Sequence, residues 1–167
     1  MDLQQFEIKI LPLKDKIYRL AKALLNNASE AEDAVQDIYL KLWTSRDDLD
    51  KAENLTALTL QIARNHCIDR YRSLSRTQFS DLNDNDPSLS EMRSPHEQAE
   101  QKDLVNTVKQ LIDTLPEQQR TVIHLRDVEG LEMDEIATIT GMTKNTVKVN
   151  LSRARQNVRN AFEKKKL

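Results

Sequence analysis

Apolar residues recur three or four positions apart along most of the chain, which is the spacing that places them on one face of an α-helix. The first such stripe consists of Ile10, Leu13, Ile17, Leu20 and Leu24. Ser29 and Glu32 have the spacing of a capping box and predict the start of a second helix that extends past Leu42. Residues 45–51 are polar and predict a break between helices. A third apolar pattern covers 55–73, so this part of the chain is predicted to contain three or four helices.

A second group of four helices is predicted in the last part of the chain. Ser94, Pro95 and Glu97 form a helix-start signal for a helix that extends to Thr114. The next helix begins at Pro116 and ends at Gly130, a short one covers about 133–140, and the last one follows Gly141 from Lys144 onward.

The segment between these two groups has no helical period. Eleven of the 21 residues in 74–94 are Ser, Asn, Asp or Pro, and this segment has a net negative charge. Such a composition buries too little apolar surface to offset its ordering entropy. The pattern therefore predicts an all-α protein with helical domains at 1–73 and 95–167, joined by a flexible acidic linker at 74–94.

Composition supports this fold class and excludes several functions. Two glycines are too few for a protein rich in hairpins or for a phosphate-binding loop. A single cysteine, Cys67, excludes an internal disulfide framework and indicates a reducing compartment. The three histidines are widely separated, so we expect no metal site and no cofactor.

The chain shows no cluster of catalytic groups, so we expect neither an enzyme nor a small-molecule substrate. It has no apolar stretch of membrane-spanning length and no basic segment followed by an apolar run at its start. These patterns predict a cytoplasmic protein without membrane insertion.

Positive charge is concentrated at the end of the chain. Residues 142–167 carry eight basic side chains and one acidic one, although the whole chain has a net charge of −2. Ala137 and Gly141, just before this stretch, and Val147 within it have the small–turn–apolar spacing of a helix-turn-helix. A basic helix face alone is more often solvated surface, but together with this spacing it favours DNA binding.

The helix after Gly141 separates into an apolar stripe and a polar face. The stripe consists of Val147, Leu151, Ala154 and Val158. The polar face carries Asn145, Lys148, Ser152, Arg155, Gln156 and Arg159. Lys and Arg can contact phosphates or guanine, and Asn and Gln can recognise adenine, so this face suits a helix in the major groove.

The run LPEQQRTVIHLRDVEGLEMDEIATITGMTKNTVKVNLSRAR, which begins at Leu115, resembles region 4 of bacterial RNA polymerase sigma factors, specifically the extracytoplasmic-function (ECF) group. Residues 28–43 (ASEAEDAVQDIYLKLW) resemble region 2, and residues 62–72 (IARNHCIDRYR) resemble the segment that recognises the downstream promoter element. The three motifs occur in the family's order. This chain departs from the family pattern at Val149-Asn150, where the family often has Ser-Arg. It therefore has one cation fewer at this place in the helix.

The resemblance implies an ECF sigma factor that binds core RNA polymerase and directs promoter-specific transcription initiation. Upstream-element contacts are then expected from Lys144, Asn145, Lys148, Ser152, Arg153, Arg155 and Arg159. Downstream-element contacts are expected from Arg64, Asn65, Asp69, Arg70 and Arg72. Contacts with the coiled coil of the largest polymerase subunit are expected from Asp33, Gln36, Asp37 and Lys41.

The resemblance also implies contact with the polymerase flap and with an anti-sigma factor, because the family usually has one. The net charge of −2 predicts that the free protein binds duplex DNA weakly and needs the polymerase to join its two DNA contacts.

Two alternatives remain open from the sequence. A helix-turn-helix regulator of the response-regulator output type shares the pattern of residues 115–159, but it carries an α/β domain in front, and the glycine-free residues 1–73 do not resemble one. A helical adaptor that binds only protein would be indifferent to replacement of Lys148 and Arg155 by alanine. Co-purification with core polymerase separates the first alternative from a sigma factor.

Overall fold

The computed structural model describes residues 1–80 and 100–166, with side chains described for 1–77 and 103–165. The helices of the first part are α1 (Leu3–Ile10), α2 (Lys14–Leu25), α3 (Ala28–Thr44), α4 (Arg46–Lys51) and α5 (Leu55–Ser80). Those of the second part are α6 (Glu100–Asp113), α7 (Glu117–Ile123), α8 (Met133–Thr140) and α9 (Lys144–Lys166). Within these described ranges there is no strand, which confirms the all-α class.

Local capping explains where the first helices begin and end. The first apolar stripe is split because Pro12 lies in a 3₁₀ turn, Leu11–Leu13, between α1 and α2. The Ser29–Glu32 capping box is wrong: Asn27 caps α3, and its side-chain oxygen accepts a hydrogen bond from the Glu30 backbone N–H at 3.0 Å. Asn26 adopts the left-handed conformation (φ 54°), and α2 therefore ends at Leu25, the residue before it.

The range 45–51, predicted as a polar break, contains the short helix α4. Its Leu49 is 2% exposed, so one apolar residue among charged neighbours is enough to dock this turn on the core. α5 extends through Ser80, beyond the predicted end at Ser73 and into the range assigned to the linker. Residues 81–94 and the predicted cap at Ser94 lie outside the described residues.

The buried face of α5 differs from the predicted one. Ala57, Leu60, Ala63, Cys67 and Ile68 are buried, and three of these are small enough to let α2 and α3 approach closely. The predicted inward residues Leu55, Leu58, Ile62 and Tyr71 are partly buried. α5 also contacts α8, and the pattern within α5 alone does not reveal this second contact.

The helix-turn-helix forms as predicted from α8 and α9. Gly141 ends α8 with φ +74°, and its N–H donates to the Ala137 carbonyl at 2.9 Å. Val147 is fully buried and locks α9 onto α8, together with Leu151 and Ala154. Before α8, the chain forms a π-helical turn, His124–Val128, and then reverses at Gly130 (φ +71°).

The two helical units are packed against each other. α8 contacts α5, and α7 and the π turn contact α2. A single cluster of buried side chains includes Leu20 and Leu60 of the first unit and Leu125 and Ile136 of the second. No described helix is long and apolar enough to cross a bilayer.

Candidate nucleic-acid interface

All seven residues that were predicted to contact the upstream element are exposed on α9. They are Lys144, Asn145, Lys148, Ser152, Arg153, Arg155 and Arg159. The opposite side of the helix carries Val147, Leu151 and Ala154, which are at most 3% exposed. Packing on α6, α7 and α8 thus fixes the orientation of α9 and leaves its polar face open to solvent.

Two of the cations on α9 have partners within the second unit. Arg155 makes a bidentate contact with Asp127: its Nη2 donates to Oδ1 at 2.6 Å and its Nε donates to Oδ2 at 3.1 Å. Lys144 lies 3.2 Å from Asp134. In the described part of the chain, Lys148 forms no ion pair, so it is available to DNA without breaking an existing contact.

The beginning of α9 is held by hydroxyl groups. The Thr143 hydroxyl accepts a hydrogen bond from the Thr146 backbone N–H at 3.1 Å, which caps the helix. Asn150 is 9% exposed, and its amide donates to the Thr146 carbonyl at 3.0 Å. Asn150 therefore faces inward, and Val149, at 37% exposed, stands on the surface beside Asn145 and Lys148.

A mixed polar and apolar surface lies along α3. Asp33 and Asp37 have side chains that are 64% and 50% exposed, and Gln36 and Lys41 are also exposed. Leu40 on the same face is 67% exposed, and the sequence patterns did not single it out. Its spacing of four residues from Gln36 and three from Asp37 is the signal that could have placed it there.

The downstream-element residues on α5 fall into two groups. Asn65, Asp69 and Arg72 are exposed, whereas the side chains of Arg64 and Arg70 are 15% and 25% exposed. Arg70 faces α3, where it lies 2.7 Å from Glu30, 3.7 Å from Asp33 and 3.4 Å from Asp37. Arg70 thus connects the predicted DNA-contacting helix to the predicted polymerase-contacting helix.

His66 and Cys67 do not form a reactive site. Cys67 is fully buried, and burial raises the pKa of its thiol to about 12, so the nucleophilic thiolate is not populated at neutral pH. Burial also lowers the pKa of His66. The described residues contain no group of three or more His, Cys, Asp or Glu side chains that could hold a metal ion.

Polar contacts between the two units surround the α5–α8 packing, and the sequence patterns did not predict them. Glu117 at the start of α7 lies 3.9 Å from Arg64 and 3.8 Å from Arg72. The Arg120 guanidinium lies over the Tyr71 ring at 5.4 Å from its centroid. These contacts join residues that are distant in sequence, so only the three-dimensional arrangement reveals them.

A second set of contacts joins α2 to the π turn and α5 to α8. Arg19 donates to Glu129 through Nε at 2.6 Å and through Nη2 at 3.0 Å. Asn54, just before α5, donates to Glu135 of α8 at 3.0 Å. Burial alone would raise the pKa of Glu129, but the hydrogen bond and charge of Arg19 hold that pKa below its ordinary value.

His124 lies beside this carboxylate. Its Nε2 is 3.7 Å from Glu129, but burial lowers the pKa of His124 to about 4, so the imidazole is neutral at pH 7 and the pair is not ionic. Nε2 is buried and has no hydrogen-bond partner among the described residues. His124 is therefore a buried, neutral side chain that packs beside the Arg19–Glu129 pair.

An open apolar groove of about 550 Å³ lies on the second unit between α6, the π turn and α9. Its lining includes Leu104, Val108, Ile112, Val128, Val158 and Phe162. Leu104 and Val128 are each 53% exposed, which is unusual for side chains of this type in one depression.

Family comparisons match both units. Residues 10–77 match the family model described as Sigma-70 region 2, and residues 106–158 match the one described as Sigma-70, region 4. α8 and the part of α9 up to Val158 lie inside the second match, and the α3–α5 surface lies inside the first. The fold and the site thus define a sigma factor of RNA polymerase.

Comparison with curated relatives shows which group of sigma factors the chain belongs to. The chain is 31% identical over 154 residues to the ECF RNA polymerase sigma factor SigW of Bacillus subtilis, covering 87% of this chain and 82% of the relative. It is 28% identical over 170 residues to RNA polymerase sigma-H factor of Pseudomonas aeruginosa, covering 97% and 88%. The chain belongs to the ECF group of RNA polymerase sigma factors, which are initiation factors and not enzymes.

Solved structures share the fold. The sigma factor RpoE of Bartonella quintana, in complex with the anti-sigma factor NepR, aligns with a TM-score of 0.72 at 24% identity, covering 96% of this chain and 98% of that one. CnrH, in complex with the cytosolic domain of CnrY, aligns with a TM-score of 0.71 at 18% identity, covering 97% and 90%.

Family membership confirms the predicted function. The chain directs promoter-specific transcription initiation together with core RNA polymerase and promoter DNA. The response-regulator alternative is wrong, because residues 10–77 match a sigma-factor region and form helices α2 to α5, where that alternative needs an α/β domain.

Proposed function

We propose that the two units divide promoter recognition between them, with 1–73 contacting polymerase and the downstream element and 95–167 contacting the upstream element, joined through 74–94. The observation that carries this proposal is the orientation of α9. Its apolar stripe is buried, α9 packs on α6, α7 and α8, and its seven candidate DNA-contacting residues are all exposed.

In this proposal α9 lies in the major groove of the upstream element. Asn145 and Lys148 occupy the first part of the helix, which is the part that reaches base edges in helix-turn-helix proteins. Lys144, Arg153 and Arg159 contact phosphates, which fixes the register without specifying sequence. Arg155 joins them when it leaves Asp127.

The downstream element is recognised by α5 as single-stranded DNA. Asn65 is exposed, and its amide can donate to and accept from the edge of an unstacked base. Arg64 and Arg72 hold phosphates or stack on bases, and Asp69 accepts from a base amino group. Holding an unstacked base favours the melted duplex, so recognition and opening are coupled.

Polymerase docks on α3 through its mixed surface. Asp33, Gln36, Asp37 and Lys41 provide polar contacts with the coiled coil of the largest subunit, and Leu40 provides apolar area among them. Arg70 contacts two of these carboxylates, so it positions the docking surface. The apolar groove on the second unit is the surface that we assign to the polymerase flap.

We further propose that an anti-sigma factor binds this chain and that the chain works in the cytoplasm. The two structural neighbours are sigma factors captured with such partners, NepR and the cytosolic domain of CnrY. The absence of a membrane-spanning helix among the described residues agrees with that location.

Run-off transcription with purified core polymerase and a library of randomised promoters tests this function. The expected transcripts come from templates that share two conserved blocks at a fixed separation. Transcription no greater than that of core enzyme alone would contradict the proposal.

A further inference from the structure

Val149 is an exposed apolar residue in the middle of the polar face of α9. We propose that its methyl groups contact the 5-methyl group of a thymine in the upstream element, so that Val149 selects T at one position of that element. The inference rests on the proposed function of α9, to which it adds one residue that determines base preference.

The direction of the Val149 side chain follows from the residues on either side of it. Val147 and Leu151, two positions before it and two after it, are 0% and 3% exposed. Two residues correspond to a turn of about 200° around an α-helix. Val149 therefore points away from the packed side of α9, and it is 37% exposed. In the proposed complex this is the side of the helix that enters the major groove.

The neighbours of Val149 on this side of the helix are polar. Asn145 lies four residues before it and Ser152 three residues after it, which is the spacing of side chains that share a helix face. Both neighbours are exposed. Val149 thus places an apolar group at the centre of a face that otherwise carries hydrogen-bonding groups. Such a group gains nothing from a DNA phosphate, but it matches an apolar group on a base.

Thymine is the base that this apolar group fits. In the major groove guanine presents two acceptors, cytosine an amino group and adenine one of each, whereas thymine presents its 5-methyl group beside the O4 acceptor. Placing a valine against the amino group of cytosine or adenine removes water from a donor and supplies no hydrogen bond in return. Val149 therefore favours thymine by contact and disfavours the other bases by loss of hydration.

The first turns of α9 hold Val149 in a fixed direction before DNA binds. The Asn150 amide donates to the Thr146 carbonyl at 3.0 Å and to Met142 Sδ at 3.8 Å, and Asn150 is 9% exposed. The branched Cβ of valine also leaves one strongly preferred side-chain rotamer in a helix. Contact with a thymine therefore orders little that is not already ordered, which preserves the contribution of the contact to affinity.

Promoters that contain uracil test this contact, because deoxyuridine differs from thymidine only by the missing 5-methyl group. The starting promoter is one that the holoenzyme selects from the randomised library, and each thymine on either strand of its upstream block is replaced singly by deoxyuridine. The affinity of the holoenzyme for the fluorescein-labelled duplex is measured by anisotropy, with the unmodified chain and with Val149→Ala. Val105→Ala makes the same change at an exposed valine on α6 and serves as the matched control.

The expected result is a loss of affinity at one thymine that depends on Val149. Removal of its methyl group should weaken binding of the unmodified holoenzyme about three- to fourfold, which is the effect of one buried methyl group. The same replacement should leave binding by Val149→Ala nearly unchanged and should weaken binding by Val105→Ala as much as in the unmodified chain. This double-mutant cycle isolates the contact between the two groups from their separate effects.

The proposal is overturned if the selected upstream block contains no thymine, or if no thymine in it shows this loss. It is also overturned if the loss persists in Val149→Ala, because another residue then contacts the methyl group.

Selection from the randomised library gives a second readout. Val149→Ala should lower the preference for T at the same position and leave the preferences at the other upstream positions unchanged. Loss of preference throughout the upstream block would mean that Val149 supports the placement of α9, and this would overturn its role as a base contact.

These outcomes are separable from the function itself. If the unmodified holoenzyme selects no upstream block, the proposed function of α9 is wrong. If it selects one while the thymine methyl groups have no effect on binding, only the Val149 contact is wrong.

Discussion

His124 is a buried neutral histidine, and we expect its protonation to destabilise the fold as the pH falls. Its side chain is 7% exposed, and burial lowers its pKa to about 4, from an ordinary value near 6.5. Glu129 and Arg19 are the charged groups beside it, and they act in opposite directions. Between the two pKa values the unfolded chain binds more protons than the folded chain does.

The direction and the size of the pH effect on stability follow from this difference in bound protons. The contribution of His124 is fully present above about pH 6.5 and is lost as the pH falls toward the folded pKa of about 4. Because each pH unit between the two pKa values corresponds to about 1.4 kcal/mol, the full loss is about 3 kcal/mol. By pH 5 the free energy of unfolding should have fallen by about 2 kcal/mol from its value at pH 7.5.

Urea unfolding followed by circular dichroism at pH 7.5 and pH 5.0 measures this loss. His124→Leu removes the titrating group and leaves no partner unsatisfied, because Nε2 has no hydrogen-bond partner in the described part of the chain. The variant should therefore lose about 2 kcal/mol less than the unmodified chain between these pH values. His66→Leu removes another histidine whose pKa is lowered by burial, and this variant should keep the loss of about 2 kcal/mol that comes from His124. An equal loss in the unmodified chain and in His124→Leu would refute the reasoning.

Three further predictions concern the second unit. Arg153→Ala should weaken binding of the holoenzyme to the upstream element and reduce its logarithmic salt dependence by about 0.9, with an unchanged slope counting against a phosphate contact. Asp127→Asn should release Arg155 and tighten upstream-element binding by a few-fold in the same assay, and no change would mean that Arg155 does not contact DNA. Gly141 has φ +74° with open space around its Cβ position, so Gly141→Ala should lower the free energy of unfolding by about 1 kcal/mol because of backbone strain alone. Gly141→Asn should lower it by less, and urea unfolding measures both. Equal stability of Gly141→Ala and the unmodified chain would show that this turn relaxes.

Much of the fold is predictable because local signals determine it. The predicted bounds of α8 match the structure, since Gly141 must end this helix where φ is positive. The cap of α3 was misplaced because Asn27 and Ser29 are both good capping residues, and only the backbone shows that Asn27 has the extended conformation of a cap. α4 was missed because six residues carry too little periodicity to indicate a helix.

Some features of the candidate site can also be predicted from the sequence, and others cannot. The exposed face of α9 follows from its apolar stripe, since a buried Val147 fixes the side on which Lys148 lies. The covering of Arg64 by Glu117 does not follow, because the two residues belong to different units and no pattern within either helix encodes their meeting. Charges that look equally available along the sequence therefore differ in the structure, where Arg64 and Arg155 are paired.

The division of labour between α5 and α9 is tested most directly by the promoters that variants select. Core polymerase carrying Lys148→Ala or Asn65→Ala is used to transcribe the randomised promoter library, and Lys164→Ala, an exposed charge removal later on α9, is the control. We predict that Lys148→Ala relaxes selection only in the upstream block, that Asn65→Ala relaxes it only in the downstream block, and that Lys164→Ala changes neither. Relaxation of both blocks by either single variant, or of neither block by both, would contradict the assignment of one promoter element to each helical unit.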